Sequence, residues 1–414
     1  MLAAAFRAEL LAVLPAVLLA GLPAGGLLAG GSARAEDVKI GVVLGEPAEM
    51  QDLVAPMLEA MKLAAEQING QGGILDGRRL TLIVADSKGD PQADAETARR
   101  LATVDQVSAL IGGLTSATTM ALTVKVAMPE DLLQISPSAT APELTRLDDK
   151  DLFFRLVPSD DYQAAVLAKL TYNQGYDRVA LAYVDNLYGS NVARIFRDAY
   201  TQLGGRITAA VPHLPDRRDF ADDLKALAAG RPKALVVVAY PETGIPLIAQ
   251  AVAAGLSVDI IGTDTLVDSR VIEEVGADRL RNAFFTAPSA LGHTPGARRF
   301  ADDYEEAYGP LGARLFVAQA YDAVMLAALA MERAGSPHEP DLGTWLRRIC
   351  CMPGRQVGPG EWGRAKALIA AGSKINYQGA SGPVEFDVNG DVQGLMGWFD
   401  VENGAFKQVG VVTR

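Results

Sequence analysis

The chain is poor in the residues that carry most protein chemistry. It holds 2 Cys and 3 His in 414 residues, which rules out a disulfide scaffold and leaves little from which to build a zinc or haem site. Positive charge is also short. Lys and Arg number 38 against 50 Asp and Glu, for a formal net charge of −12, so no basic field exists to neutralise a phosphate backbone, and a nucleic-acid partner is disfavoured. Several motifs are missing as well. No G-x-G-x-x-G follows the first strand pattern, and neither G-x-x-x-x-G-K-[ST] nor G-x-S-x-G occurs. Nothing assembles a nucleophile, a base and oxyanion donors, so the sequence points away from an enzyme and calls for no cofactor.

The scarce residues that are present read blandly. Cys350 and Cys351 are neighbours, and a bond between adjacent residues requires a strained ring, which excludes a loop-closing disulfide and favours two small apolar side chains at a helix end over the alternative of a vicinal disulfide or intermolecular bridge. His213, His293 and His338 read as exposed loop residues, and Arg78-Arg79, Arg217-Arg218 and Arg347-Arg348 as solvated surface. The stretch from Asp387 to Asp391 imitates the start of a calcium loop, but Val392 replaces the needed Gly and Trp398 the final Glu. A tight turn explains it better.

What is abundant is apolar: 49% of the residues are hydrophobic. Part of that excess lies at the front, where Arg7 precedes an apolar run from Leu10 to Gly31 that ends at Ala33-x-Ala35. A basic start, an apolar middle and a small-residue exit form the pattern of a secretory signal, with cleavage expected after Ala35 and a periplasmic mature chain. Pro15 and Pro23 weaken the alternative of a permanent membrane anchor. No Cys follows the run, so a lipid-anchored form is not supported.

From residue 38 onward, short apolar runs alternate with helical patterns. Strand character marks 39–44, 80–85, 109–112 and 132–135, then 178–184, 206–211, 234–239 and 259–261. Helices are expected over 55–69, 90–104, 116–127, 190–203, 220–229 and 243–254. Strands separated by helices of this length predict parallel sheets covered on both faces, and two successive sets predict an α/β protein of two Rossmann-like lobes. After about residue 313 the pattern changes to long helices. A β-rich tail then runs from Pro383 to Val412, with turns at Asn389-Gly390 and Asn403-Gly404.

Ligands bind open parallel sheets beyond the C-terminal ends of the strands. The loops to inspect therefore follow Gly112, Ile135, Val184, Ala239 and Ile261. Two of them are rich in hydroxyls, Gly113 to Thr119 and Ser136 to Thr140. Such residues cap helices in most proteins, but two such loops after neighbouring strands favour a carboxylate site.

Together these segments resemble the periplasmic solute-binding proteins of branched-chain amino acid ABC transporters, the leucine/isoleucine/valine-binding type. The strongest piece is Leu133-Gln-Ile-Ser-Pro-Ser-Ala-Thr-Ala-Pro-Glu-Leu-Thr145. Others are Glu66-Gln-Ile-Asn69 with Gly72-Gly73, Ile111-Gly112 with Ser116, and Phe154-Arg155 with Asp160 and Gln163. Tyr188-Gly189, Tyr240-Pro-Glu242 and the segment Asn376 to Asp387 complete the set. The resemblance implies a type I periplasmic binding fold in which two lobes, joined by a three-strand hinge, close on a solute. It places lobe one at about 36–157 with 288–375, and lobe two at about 158–287 with 376–414.

By the same resemblance, Ser116 and Thr140 would hold a ligand carboxylate, and Ser138 would offer its carbonyl to an ammonium group. Asp264 would neutralise that group, while Tyr188 and Tyr240 would close over the ligand. A small amino acid or related carboxylate or amide is the implied ligand, permease subunits of an ABC transporter are the implied partners, and the chain is expected to be a monomer. An exported sensor of the same fold is the alternative. The loop 45–52 lacks the Thr-Gly that relatives carry, and Asp264 is one methylene shorter than the Glu of the leucine binder, so preference for leucine does not follow.

Overall fold

The computed structural model describes residues 36–45, 51–289, 294–312, 314–351 and 353–412. The export signal expected over 1–35, His293 and most of the loop 45–52 lie outside the described residues.

The first half builds a sheet of five parallel strands in the order β2-β1-β3-β4-β5. They are β1 (Val38–Val43), β2 (Leu80–Val84), β3 (Ala109–Gly112), β4 (Gln134–Ser136) and β5 (Phe153–Arg155). Helices α1 (Gln51–Gly70), α2 (Pro91–Thr103), α3 (Ser116–Leu122) and α4 (Pro142–Thr145) connect them. Burial explains the composition: every residue of β3, β4 and β5 is enclosed, as parallel strands covered on both faces must be. Asp90 caps α2 by accepting from the Gln92 and Ala93 N–H groups, and Pro91 takes the first helical position.

The second sheet has seven strands in the order β15-β14-β10-β9-β8-β6-β7. Five come from the middle of the chain: β6 (Arg178–Val184), β7 (Arg206–His213), β8 (Ala234–Val238), β9 (Asp259–Gly262) and β10 (Phe284–Pro288). These run parallel and alternate with α5 (Asp160–Asn173), α6 (Leu187–Gln202), α7 (Ala221–Ala228), α8 (Pro241–Ala253) and α9 (Ser269–Val275).

The chain then returns to the first sheet. There α10 (Pro295–Tyr308), α11 (Val317–Ala334), α12 (Leu342–Cys350) and α13 (Trp362–Ala370) gather with a small sheet of β11 (Arg355–Val357), β12 (Ile375–Gly379) and β13 (Gly382–Pro383). Helix α11 is buried from Val317 to Met331 and packs on α1. Tyr304 donates to Glu59 at 2.6 Å and Trp362 to the Gly73 carbonyl at 3.0 Å, fastening α10 and α13 to the α1 side. The tail hairpin β14 (Met396–Glu402) and β15 (Ala405–Val412) closes the seven-stranded sheet as antiparallel strands. Its turn holds Asn403 and Gly404 at positive φ, as a two-residue hairpin demands.

The polypeptide thus passes between the two sheets three times: after β5, after β10, and at 392–395 before β14. Two of these passages are tied by the Ser289 N–H, which donates to the Leu395 carbonyl at 2.7 Å. The turn before the third is locked by a buried ion pair. Arg155, wholly enclosed, donates through Nε to Asp391 Oδ1 at 2.7 Å and through Nη2 to Oδ2 at 2.6 Å. The calcium-like stretch is therefore a turn, as expected, with Asp387 Oδ1 accepting from the Asn389 and Asp391 N–H groups.

Three expectations fail. His213 is not exposed; it ends β7 at 5% exposure, edge-on to Phe220, with neither ring nitrogen hydrogen-bonded. Arg347 is not free surface, because it forks onto Asp151 and lies 5.0 Å over the Phe154 ring. Cys350 and Cys351, read as separate small side chains, form a vicinal disulfide at the end of α12. In each case the partner comes from elsewhere in space or from the local chain bend, neither of which residue pattern reveals.

Candidate ligand-binding cleft

Five strand ends deliver their loops to one place. Ser116 opens α3 after β3, and Ser138 and Thr140 lie after β4. Tyr188 stands in the first turn of α6 after β6, Tyr240 at the end of β8, and Asp264 just beyond β9. All six residues implied by the resemblance line a single cleft, together with Leu53, Leu114, Thr115, Thr265 and Phe316.

Two glycines make the approach possible. A side chain at Gly112, whose φ is +135°, would strike the Val43 carbonyl, so only glycine lets the Ser116 loop leave β3 this close to β1. A side chain at Gly189 would strike the Val184 carbonyl, which brings Tyr188 down onto the end of β6.

The wall from the five-stranded side is built of hydroxyls and backbone N–H groups. Ser116 Oγ accepts from the Thr140 and Ala141 N–H groups at 3.3 and 3.2 Å. Ser138 Oγ donates to the Leu114 carbonyl at 2.7 Å, bracing the two loops. These bonds hold donors side by side, suited to a carboxylate.

The facing wall is acidic. Asp264 is 1% exposed, and its Oδ1 accepts from the Tyr188 hydroxyl at 2.7 Å and from Gln163 at 2.9 Å. The Tyr188 and Tyr240 rings stack with centroids 5.4 Å apart. Burial raises the pKa of Asp264 and lifts both tyrosine hydroxyls, with the neighbouring carboxylates adding to the tyrosine shifts. Neither tyrosine is a source of negative charge at neutral pH.

A second carboxylate, given no site role in the sequence reading, lies behind this wall without lining the cleft. Asp160 begins α5 fully buried, and neither of its oxygens meets a donor in hydrogen-bond geometry. Burial, then repulsion from Asp264, pushes its pKa well above the usual carboxylate range, while the nearby Thr140 hydroxyl and Arg155 only partly offset this. Asp322 shows the contrast. Also fully buried, it accepts from Tyr377, from the Ala380 and Ser381 N–H groups and from the Ser381 hydroxyl. Asp322 has the donors of a structural residue; Asp160 has none of its own.

Phe316 is the other member that sequence reasoning missed. It sits just before α11 with φ 62° and ψ 3°, a left-handed conformation that costs a bulky residue roughly 1–3 kcal/mol. The strain holds its ring against the cleft. A bulky residue at a helix entry carries no sequence signal of that conformation.

The lobes are drawn together across the site. Asn191 Nδ2 of α6 donates to Glu143 Oε2 of α4 at 2.7 Å, and Leu187 packs on the cluster of Ala139, Ala141, Leu144 and Phe153. The cleft so enclosed has about 20 Å³ of free space.

Two α/β lobes on a three-strand hinge, meeting over a cleft with donors on one wall and a buried carboxylate on the other, define a solute-binding protein of the type I kind. The chain belongs to the periplasmic binding protein family, whose model matches residues 37–393. It is 30% identical over 348 residues to the chemotactic signal transduction system substrate-binding protein BasB of Halobacterium salinarum, covering 83% of this chain and 81% of that protein. It is 28% identical to the leucine-, isoleucine-, valine-, threonine- and alanine-binding protein of Pseudomonas aeruginosa, over 76% of this chain and 83% of the relative. Among solved structures, a leucine binding protein of Thermotoga maritima superposes with a TM-score of 0.76 at 24% identity, covering 91% of this chain and 99% of the other. These relatives are named as binding proteins.

Proposed function

We propose that this protein captures an α-amino acid with an apolar side chain in the periplasm and delivers it to an ABC permease. The observation that carries this reading is the pairing of donors at Ser116 and Thr140 with the buried carboxylate of Asp264 across one cleft, with Asp160 close behind it. A buried zwitterion needs both charges met, or desolvation exceeds the gain from binding. The Ser116 and Thr140 hydroxyls receive the ligand carboxylate. Asp264, with Asp160 behind it and the Ser138 carbonyl beside it, receives the ammonium. Tyr188 and Tyr240 cover the ligand, and Leu53, Leu114 and Phe316 surround its side chain.

The acidic wall also discriminates among ligands. A plain carboxylate would add negative charge beside two buried carboxylates and bring no cation, whereas an amino acid brings its own countercharge. Amino acids are therefore favoured over carboxylates without an amine. In this reading residues 1–35 form the export signal and are removed. Residues 376–391 move with the five-stranded lobe, not with 376–414 as the resemblance implies, because Asp322 and the Arg155–Asp391 pair hold them there.

The test is a melting-temperature screen of the refolded, ligand-free protein against the amino acids and their des-amino analogues. One amino acid should raise the melting temperature, and Thr140→Ala and Asp264→Ala should each remove that rise. A response to the des-amino analogue alone would overturn the assignment of the acidic wall.

A second reading is favoured by one comparison. The relative at 30% identity is named as part of a chemotactic signalling system, and the same closing motion can present a solute to a membrane receptor. Deletion of the gene separates the two: loss of uptake of the identified solute supports transport, and loss of taxis toward it with uptake intact supports sensing.

A further inference from the structure

The described residues also line a cavity at the hinge that is larger than the cleft. It offers about 240 Å³, against about 20 Å³ in the cleft, and the two share no lining residue. Each passage between the sheets contributes to it, with Leu156 from the first, Pro288 from the second and Leu395 from the third, while Val384, Ser381, Gln319 and the exposed Gln393 also line it. Among the described residues, no charged side chain lines this space.

Its polar groups differ in one respect. Ser381 is spent on Asp322 at 2.6 Å, and Ser289 exchanges a bond with Gln408 at 2.9 Å. Gln319, in the first turn of α11, is 5% exposed, and its amide has no hydrogen-bond partner among the described residues. The amide opens onto the cavity and is free to pair with a polar group held there. The rest of the wall is mainly Leu, Pro and Val.

We propose that the hinge cavity is a second small-molecule site, which takes an uncharged molecule with an apolar body and one amide or hydroxyl group. The apolar walls exclude an ion, since no countercharge lines them. The Gln319 amide both donates and accepts, so it pairs fully with another amide. An apolar cavity of roughly 150 Å³ is enough to hold a benzene ring, so the hinge space admits a ring carrying a small polar substituent. The proposal goes beyond the function of the cleft and does not depend on which solute binds there.

Benzamide is the probe, titrated calorimetrically into the purified protein. One molecule should bind with a Kd on the order of 1 mM, as expected for a ligand of this size. Val384→Phe fills the cavity and should weaken binding at least tenfold, and Gln319→Leu, which keeps the shape and removes the amide, should weaken it several-fold. Asp264→Ala disables the cleft and should leave benzamide binding unchanged. Melting curves establish that each variant is folded, and Gln319→Leu keeps the test intact if the larger side chain is not tolerated. Absence of binding to the wild type, equal binding to both hinge variants, or loss of binding in Asp264→Ala would each overturn the proposal; the last would place benzamide in the cleft.

Discussion

The Tyr188 hydroxyl lies 2.7 Å from Asp264 Oδ1 and 2.9 Å from Thr263 Oγ1. The tyrosine that covers the cleft is therefore also the group that aims its countercharge. Gln163 addresses the same carboxylate oxygen at 2.9 Å, so the two side-chain donors leave Oδ2 as the oxygen that side chains do not engage.

Tyr188→Phe keeps the ring stacked on Tyr240 and removes only the hydroxyl. A hydrogen bond to a charged group contributes about 1.5–3 kcal/mol, so affinity for the identified amino acid should fall at least tenfold. The ligand-free melting temperature should move little. An unchanged Kd by calorimetry would show that Asp264 needs no orienting donor.

Asp160→Asn should stabilise the empty protein while weakening the ligand complex. The native pKa of Asp160 is raised by burial and by Asp264, so the native state binds this proton more tightly than the unfolded state does. The group therefore opposes folding at neutral pH, and the penalty shrinks as pH falls through the raised value and is gone only below the unfolded-state value of 3.8. Removing the charge should add roughly 1–3 kcal/mol in urea denaturation at pH 7, and ligand affinity should fall in the same variant. A destabilised empty protein would mean that Asp160 has a structural partner.

Asn191→Ala cuts the bond to Glu143 that links α6 to α4 across the cleft. Because that contact belongs to the closed arrangement, its loss should weaken ligand binding by about 0.5–1.5 kcal/mol, mostly as faster dissociation. Stopped-flow release of bound solute measures this directly. Release at the wild-type rate would show that the contact does not hold the lobes together.

His213 should make the fold acid-sensitive. Burial lowers its pKa from 6.5 to about 4, so the native state resists a proton that the unfolded chain accepts. Its contribution is complete above pH 6.5 and is lost as pH falls toward 4, amounting to roughly 3–4 kcal/mol at the acid end before solvent screening reduces it. His213→Phe should flatten urea stability between pH 7 and 4 relative to wild type. Parallel pH profiles for the two proteins would place the acid sensitivity elsewhere.

The legible part of this protein was its periodic part. Ala109 to Gly112 shows as a buried strand because all four residues are enclosed, and the helix over 91–103 is announced by Asp90 and Pro91. Ser116 and Thr140 stood out because hydroxyl-rich loops followed neighbouring strands. His213 and Arg347 misled because exposure depends on what packs against a residue. Burial of His213 comes from Phe220, seven residues further on, and the partner of Arg347, Asp151, is 196 residues away.

Residue order alone determined the alternating α/β architecture and the loops that carry the candidate site, because each follows from local periodicity and residue chemistry. Tertiary structure decided what those residues face. It left Asp160 without a donor while giving Asp322 four, set Phe316 in a left-handed conformation, and placed the free Gln319 amide in the hinge. These properties depend on which distant segments come within hydrogen-bonding reach, about 3 Å, and the folded topology sets that distance.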